Sequence, residues 1–220
     1  MASAAIHDLD ALRRYLGQEA PFLGAQAGRA TGLDGLDRLL ARGGAEGGLP
    51  KGALTLLGGT PGSGRASLAA RVIAHETSSG RPAAWVDVKK TLYPPALAQA
   101  GVELDRLLLV RTDPERAFYA AEQLLESSEL STVVLSGLDR HLTPTRARRL
   151  QSAAESASTV GLIVADPTRL PALTSVALEL RLARRDGGLM VTVARDRLGP
   201  SGRKAFVALP SEGRGSYRAA

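Results

Sequence analysis

A chain of 220 residues with 44% hydrophobic content suffices for one globular α/β domain with short tails, and with no cysteine it has neither a disulfide scaffold nor a thiolate metal site. A formal net charge of +6 and a pI near 10.1 point toward acidic partners, nucleic acid first, although G+C-rich coding would also give a chain in which Arg so outnumbers Lys. There is no apolar signal run at the start and no stretch near the ~20 apolar residues of a membrane span. Cytoplasm is therefore the expected location, with nucleoid association open, and three scattered histidines argue against a metal centre.

The first element in chain order is an amphipathic helix over residues 6–17. Leu9, Leu12 and Leu16 recur at i, i+3 and i+7, with Arg13 and Arg14 on the polar side. Residues 18–31 break the pattern, so this helix is expected to stand apart, docking on a partner or packing back on its own domain. The division is thus 1–30 for helix and linker, 31–210 for the core, and 211–220 for a small, polar tail read as disordered. A second helix spans Thr31 to Leu40, with Leu33, Leu36, Leu39 and Leu40 on one face.

A short apolar run, Ala53 to Leu57, then meets a glycine-rich turn, and an alanine-rich helical pattern follows. This is the strand–loop–helix setting of a phosphate-binding loop, G-x-x-x-x-G-K-[ST]. The loop reads Gly59, Thr60, Pro61, Gly62, Ser63, Gly64, Arg65, Ala66, Ser67: both glycines are in place, but Arg and Ala stand where Lys and Ser/Thr are wanted. Backbone N–H groups at the helix start retain the means to hold an anion. Arg65 keeps the charge in a broad planar fork, Ala66 offers no oxygen to Mg²⁺, and Ser67 comes one position late. Weak anion or nucleotide binding is compatible with this loop, and so is a tight turn kept only because strand-to-helix packing needs its glycines. No cofactor is expected.

Beyond the loop, Arg81 to Asp87 reads as a second strand, and residues 92–110 as a helix leading to a third. Asp113-Pro114 and Thr143-Pro144 are helix starts, a cap followed by Pro at the first helical position. Ala117, Ala121, Leu124 and Leu125 form the buried stripe of the first helix; Leu150, Ala153, Ala154 and Ala157 form that of the second. Ser131 to Ser136, Val160 to Ala165, Gly188 to Arg195 and Ala205 to Leu209 read as further strands. The second helix opens with Arg146, Arg148 and Arg149, and from residue 181 onward nine Lys/Arg face three Asp/Glu. With Arg195, Arg197, Arg203 and Lys204, these make a candidate basic surface for a partner or DNA, against the plainer reading of a solvated basic face.

The order TGLDGLDRLL…GGLPKGALTLLGGTPGSGRASL, followed by RPAAWVD and LYPPALAQAGVELDRLLLV, resembles the RecA/RadA superfamily of ATPases from about Thr31 to Leu209. The resemblance implies a RecA-like doubly wound α/β fold, with a mostly parallel sheet and a C-terminal antiparallel hairpin. It also implies where catalytic groups would stand. The Glu that activates water falls on Lys89, the Mg²⁺-supporting Asp on Ser136, and the nucleotide-sensing Gln on Pro167. With Arg65 and Ala66, five positions lack the expected chemistry, so the resemblance implies a pseudo-ATPase with no catalytic residues. The DNA loops expected near Asp139 to Pro144 and after the Val160 strand read as shortened and missing, with Thr168 to Ala172 leading directly into the next element. Arg195 and Arg197 fall where two lysines reach a neighbouring subunit's nucleotide.

Within the superfamily, GGLPKGALTLL and ELDRLLLVRTDPERAFYAAEQLLESSELSTVVLSGL are similar to the ImuA group of mutagenesis accessory proteins. That implies a scaffold in damage-induced translesion synthesis, working with an ImuB-like polymerase-family protein, an error-prone replicative-type polymerase, RecA and DNA. The alternatives are a SulA-like cell-division inhibitor, also RecA-like without ATPase chemistry, and a weak RadA- or KaiC-like ATPase.

Overall fold

Six consecutive buried residues, Ala53–Gly58, form the strand on which the sheet is centred. A strand apolar on both faces needs cover on both, and a doubly wound sheet supplies it. The computed structural model describes residues 28–42 and 46–209. In chain order these form α1 (Asp34–Leu40), β1 (Ala53–Gly58), α2 (Arg65–Ser78), β2 (Ala83–Asp87), α3 (Pro94–Gln99), β3 (Leu107–Val110), α4 (Pro114–Leu125), β4 (Thr132–Ser136), α5 (Pro144–Ala157), β5 (Val160–Ala165), β6 (Leu178–Arg185), β7 (Gly188–Asp196) and β8 (Lys204–Ala208). The helix expected over residues 6–17, with Leu9, Leu12 and Leu16, and the tail 211–220 lie outside the described residues.

All eight strands join one sheet, ordered β3-β2-β4-β5-β1-β6-β7-β8. The first six in this order run parallel; β7 and β8 are antiparallel, closing the sheet as a β6–β7–β8 meander. This is the fold expected from the sequence, with one strand more. The β6 strand was legible in the alternation of Leu178, Leu180 and Leu182 with Glu179 and Arg181, a period of two. Thr168 to Ala172 do not lead directly into the next element: residues 166–177 carry one 3-10 turn (Pro167–Arg169) before β6 begins.

Both proline-led helix starts have the expected caps. Asp113 accepts from the Arg116 amide at 3.0 Å and Thr143 from that of Arg146 at 3.3 Å, each satisfying a donor the helix leaves unpaired. The amide holds the Asp113 carboxyl below the usual range. Two apolar cores result. One lies beneath α1, α2 and α3 and includes Leu36, Leu68, Ile73, Trp85 and Val191. The other, beneath α4 and α5, includes Leu54, Ala117, Leu125, Leu150 and Ile163. The α4 and α5 layer reaches over β2, β4, β5 and β1. Among the described residues, no helix is long and apolar enough to cross a membrane.

Candidate functional site

Parallel strands all end on the same edge of the sheet. The adjacency of β2, β4, β5 and β1 therefore brings four connections together there: 88–93 after β2, 137–143 after β4, 166–177 after β5, and the glycine-rich loop after β1. This is the crevice where ligands of open α/β sheets bind. Arg65, Ala66, Lys89, Ser136 and Pro167 all stand on this edge, as the sequence order implied.

The loop has the expected backbone. Gly62 and Gly64 have φ of 83° and 88°, and Gly64 leads into α2 from the left-handed region. A Cβ at Gly64 would lie 2.3 Å from Leu189 Cδ2 of the meander, so both conformation and space require glycine here. Gly64→Ala is expected to destabilise the fold by about 2 kcal/mol, read as a lower denaturation midpoint; an unchanged midpoint would remove the packing role.

The side chains around the loop are turned to internal partners. Arg65 donates from Nη1 to the carbonyl of Gly59, folding back on its own loop. Ser136 receives the indole N–H of Trp85 at 3.0 Å. Lys89 lies 3.5 Å from Asp139 Oδ2, while Asp139 Oδ1 accepts the Asp166 amide at 2.6 Å. Asp166 accepts both the hydroxyl of Thr168 at 2.7 Å and its amide at 3.1 Å. These two bonds, opposed by desolvation and aided by Arg169 and Arg65, hold the Asp166 carboxyl below the ordinary carboxylate range. Pro167 seats against the end of β1: its Cγ would meet a Cβ on Gly58 at 2.7 Å.

The sequence reading gave Asp139 and Asp166 no role at this site, although Asp139 opens the segment where a DNA loop was expected. They lie 27 residues apart, and only the β4–β5 pairing makes them neighbours. Both carboxylates are occupied by amides, a hydroxyl and cations. With Ala66 and Ser136 in the loop and β4 positions, the residues present do not fit a Mg²⁺-bound nucleotide. In the loop itself the buried Ser63 hydroxyl, beside Gly59, has no hydrogen-bond partner among the described residues. Beside the loop, a groove of about 730 Å³ runs along α2 between Tyr93 and the Arg184–Gly188 turn.

The residues of the expected basic surface divide between internal ties and exposed cations. Arg203 donates to the Leu39 carbonyl at 2.6 Å and to Asp196 at 2.9 Å, tying the meander to α1. Arg195 is bound to the carbonyls of Leu173 and Val176. Arg146 pairs with Glu115 at 2.6 Å and stacks 4.4 Å from the Phe118 ring; Arg149 pairs with Glu122 at 2.6 Å. Arg148, Arg149, Arg197 and Lys204 are exposed, the first two on α5 and the others on the meander. Arg195 and Arg203 are the internal ties, because carbonyls and a buried carboxylate recruit their forks, whereas the pairs of Arg146 and Arg149 lie at the surface.

A glycine-rich loop between the central strand and the first crossover helix of a β3-β2-β4-β5-β1 sheet, continued by an antiparallel meander, defines a RecA-like domain. The crystal structure of the RadB recombinase matches this fold at a TM-score of 0.63 and 22% identity, over 80% of this chain and 94% of that one. The chain belongs to the family described as the MT3502 N-terminal domain, whose model matches residues 43–171, and it lies within the RecA/RadA superfamily. RecA of Cereibacter sphaeroides (strain ATCC 17023) is 34% identical over 130 residues, 59% of this chain and 36% of that protein. RecA of Paracoccus denitrificans is 35% identical over 130 residues, 59% and 35%. The mitochondrial DNA repair protein recA homolog of Dictyostelium discoideum is 35% identical over 109 residues, 49% and 23%. The chain thus spans about a third or less of the length of these relatives.

Proposed function

We propose that this protein is a RecA-like accessory protein of DNA repair that acts by contacts rather than by ATP hydrolysis, a pseudo-ATPase scaffold of the ImuA type. The observation that carries the reading is the state of the catalytic edge. Arg65 is bound to its own loop, Lys89 faces Asp139, and the Ser136 hydroxyl is held by Trp85. A lysine is cationic at neutral pH and cannot take a proton from water. The similarity to RecA proteins and to a mitochondrial DNA repair protein supports the repair setting. On this reading an ImuB-like protein, an error-prone replicative-type polymerase, RecA and DNA are the partners to test, in the cytoplasm or on the nucleoid.

A second reading, an anion or nucleotide seat without turnover, is favoured by the unpartnered Ser63 hydroxyl and the groove beside α2. One experiment addresses both. ATP is titrated calorimetrically with and without Mg²⁺, and phosphate release is followed in parallel. The expected result is no release above buffer and no Mg²⁺-dependent heat; Mg²⁺-independent heat lost in Ser63→Ala establishes the seat. Mg²⁺-dependent turnover abolished by Arg65→Ala overturns the pseudo-ATPase reading.

A further inference from the structure

Among the described residues, helices cover both faces of the sheet from β2 to β1, but only one face of the β6–β7–β8 meander. Its inward residues, Leu180, Leu182, Leu189, Val191, Val193 and Val207, are buried in the core beneath α1 and α2. Alternation sends the intervening residues to the opposite face, beyond the reach of α4 and α5. Register orders them into rows across the three strands: Arg181–Thr192–Lys204, then Ala183–Met190–Phe206, then Arg185–Gly188–Ala208.

The middle row is apolar across its whole width, about 10 Å at the usual strand spacing. Phe206, 47% exposed, reaches over the neighbouring strand's Gly188, where a Cβ would lie 2.8 Å from its Cζ. Met190 beside it is unbranched and able to re-pack around a guest. Arg181 and Lys204 flank this row on one side and Arg185 on the other, all exposed, and the carboxylate on the same face, Glu179, is taken by Arg181 at 2.6 Å. The free edge of β8 is covered by α1, where a Cβ on Gly35 would lie 2.8 Å from the Phe206 carbonyl, so a guest docks on the face and does not add a strand.

We propose that this open face binds an acidic amphipathic helix of a partner protein, one whose apolar stripe is flanked on both sides by carboxylates. An apolar row flanked by cations is the complement of such a helix, whose i, i+3/i+4 and i+7 anchors span the same ~10 Å. A single strand of nucleic acid fits less well, because stacking platforms use several rings and Phe206 is the one aromatic residue in the three rows. The inference concerns partner chemistry and is independent of whether ATP is hydrolysed, so its test and the ATP titration fail separately.

The probe is a fluorescein-labelled synthetic helix of about 18 residues, with leucines at i, i+3/i+4 and i+7 and Glu on both flanks, read by anisotropy against the full chain. The same helix with Lys flanks and an oligothymidylate of about 20 nucleotides are the comparators. The Glu-flanked helix is expected to bind, and Phe206→Ser and Lys204→Glu each to weaken it about ten-fold, the scale of one buried aromatic or one reversed charge. Arg148→Glu on α5 and Tyr119→Ser on α4 should leave it unchanged. Phe206 and Lys204 are exposed, so both variants should fold, and thermal melts check this. No binding, equal binding of Glu- and Lys-flanked helices, or indifference to both substitutions overturns the proposal. Binding of the oligonucleotide that is lost in the same two variants also overturns it, assigning the face to nucleic acid.

Discussion

Trp85→Ala is expected to lower the unfolding free energy by about 4 kcal/mol, the upper range for truncating a core aromatic. Trp85 is 1% exposed on β2, the strand next to the edge, aligned with Leu109 of β3 and Val134 of β4. Its loss opens a cavity beneath α2 and removes the donor to Ser136 at 3.0 Å. Trp85→Phe separates the two effects: most of the apolar volume stays, and only the indole N–H is lost, for about 1–2 kcal/mol. Denaturant unfolding followed by circular dichroism measures both, since the chain's one tryptophan is itself removed. A loss below about 1.5 kcal/mol in Trp85→Ala would show that the site collapses around the missing side chain. The same pair bears on the candidate site, because this indole donates to the hydroxyl at the end of β4.

Asp196→Ala should cost about 3 kcal/mol, the low end for removing one partner of a buried ion pair, because the cations keep some solvent. The carboxylate is 1% exposed, between Arg42 at 3.0 Å and Arg203 at 2.9 Å, whose side chains are 16% and 25% exposed, and it also accepts the Leu198 amide at 3.0 Å. Alanine leaves two guanidinium groups facing each other without their counterion. Thermal unfolding followed by Trp85 fluorescence should show the midpoint falling by about 6–12 °C for a domain of this size. Arg106→Ala, at the exposed pair with Glu103, is the control and should lie within about 0.5 kcal/mol of wild type. If Asp196→Ala behaves like that control, the Arg42–Asp196–Arg203 bridge does not hold α1 to the meander.

A similar bridge closes α2: Glu76, with its side chain fully buried, takes Arg81 in a two-point bond at 2.8 and 3.1 Å, which pushes the Arg81 pKa up. Residues that composition reads as a basic surface are therefore in several cases internal ties. Arg81 and Arg106 carry partners five and three residues away, close enough to suspect from the sequence. Arg42 and Arg203 do not: Asp196 is 154 residues from Arg42. Nothing local distinguishes them from Arg148 or Arg197, which face solvent.

The sequence by itself determined what depends on near neighbours along the chain. The apolar runs of β1, β2, β4 and β5 demand burial on both faces. Asp113-Pro114 and Thr143-Pro144 start helices whatever surrounds them, and the glycines at 59 and 64 place a phosphate-type turn after β1. The identities of Arg65, Ala66, Lys89, Ser136 and Pro167 were equally plain, because the order of elements assigns their positions on the edge. Only the tertiary structure decided what those side chains do. Lys89, Asp139 and Asp166 meet because β2, β4 and β5 are adjacent, and Ser136 meets Trp85 across β2 and β4. It also decided which arginines are exposed and, among the described residues, left one face of the meander without a helix over it. The physical reason is the same throughout: periodicity and capping act over a few residues, whereas ion pairs and exposed faces depend on which distant segments the sheet order makes neighbours.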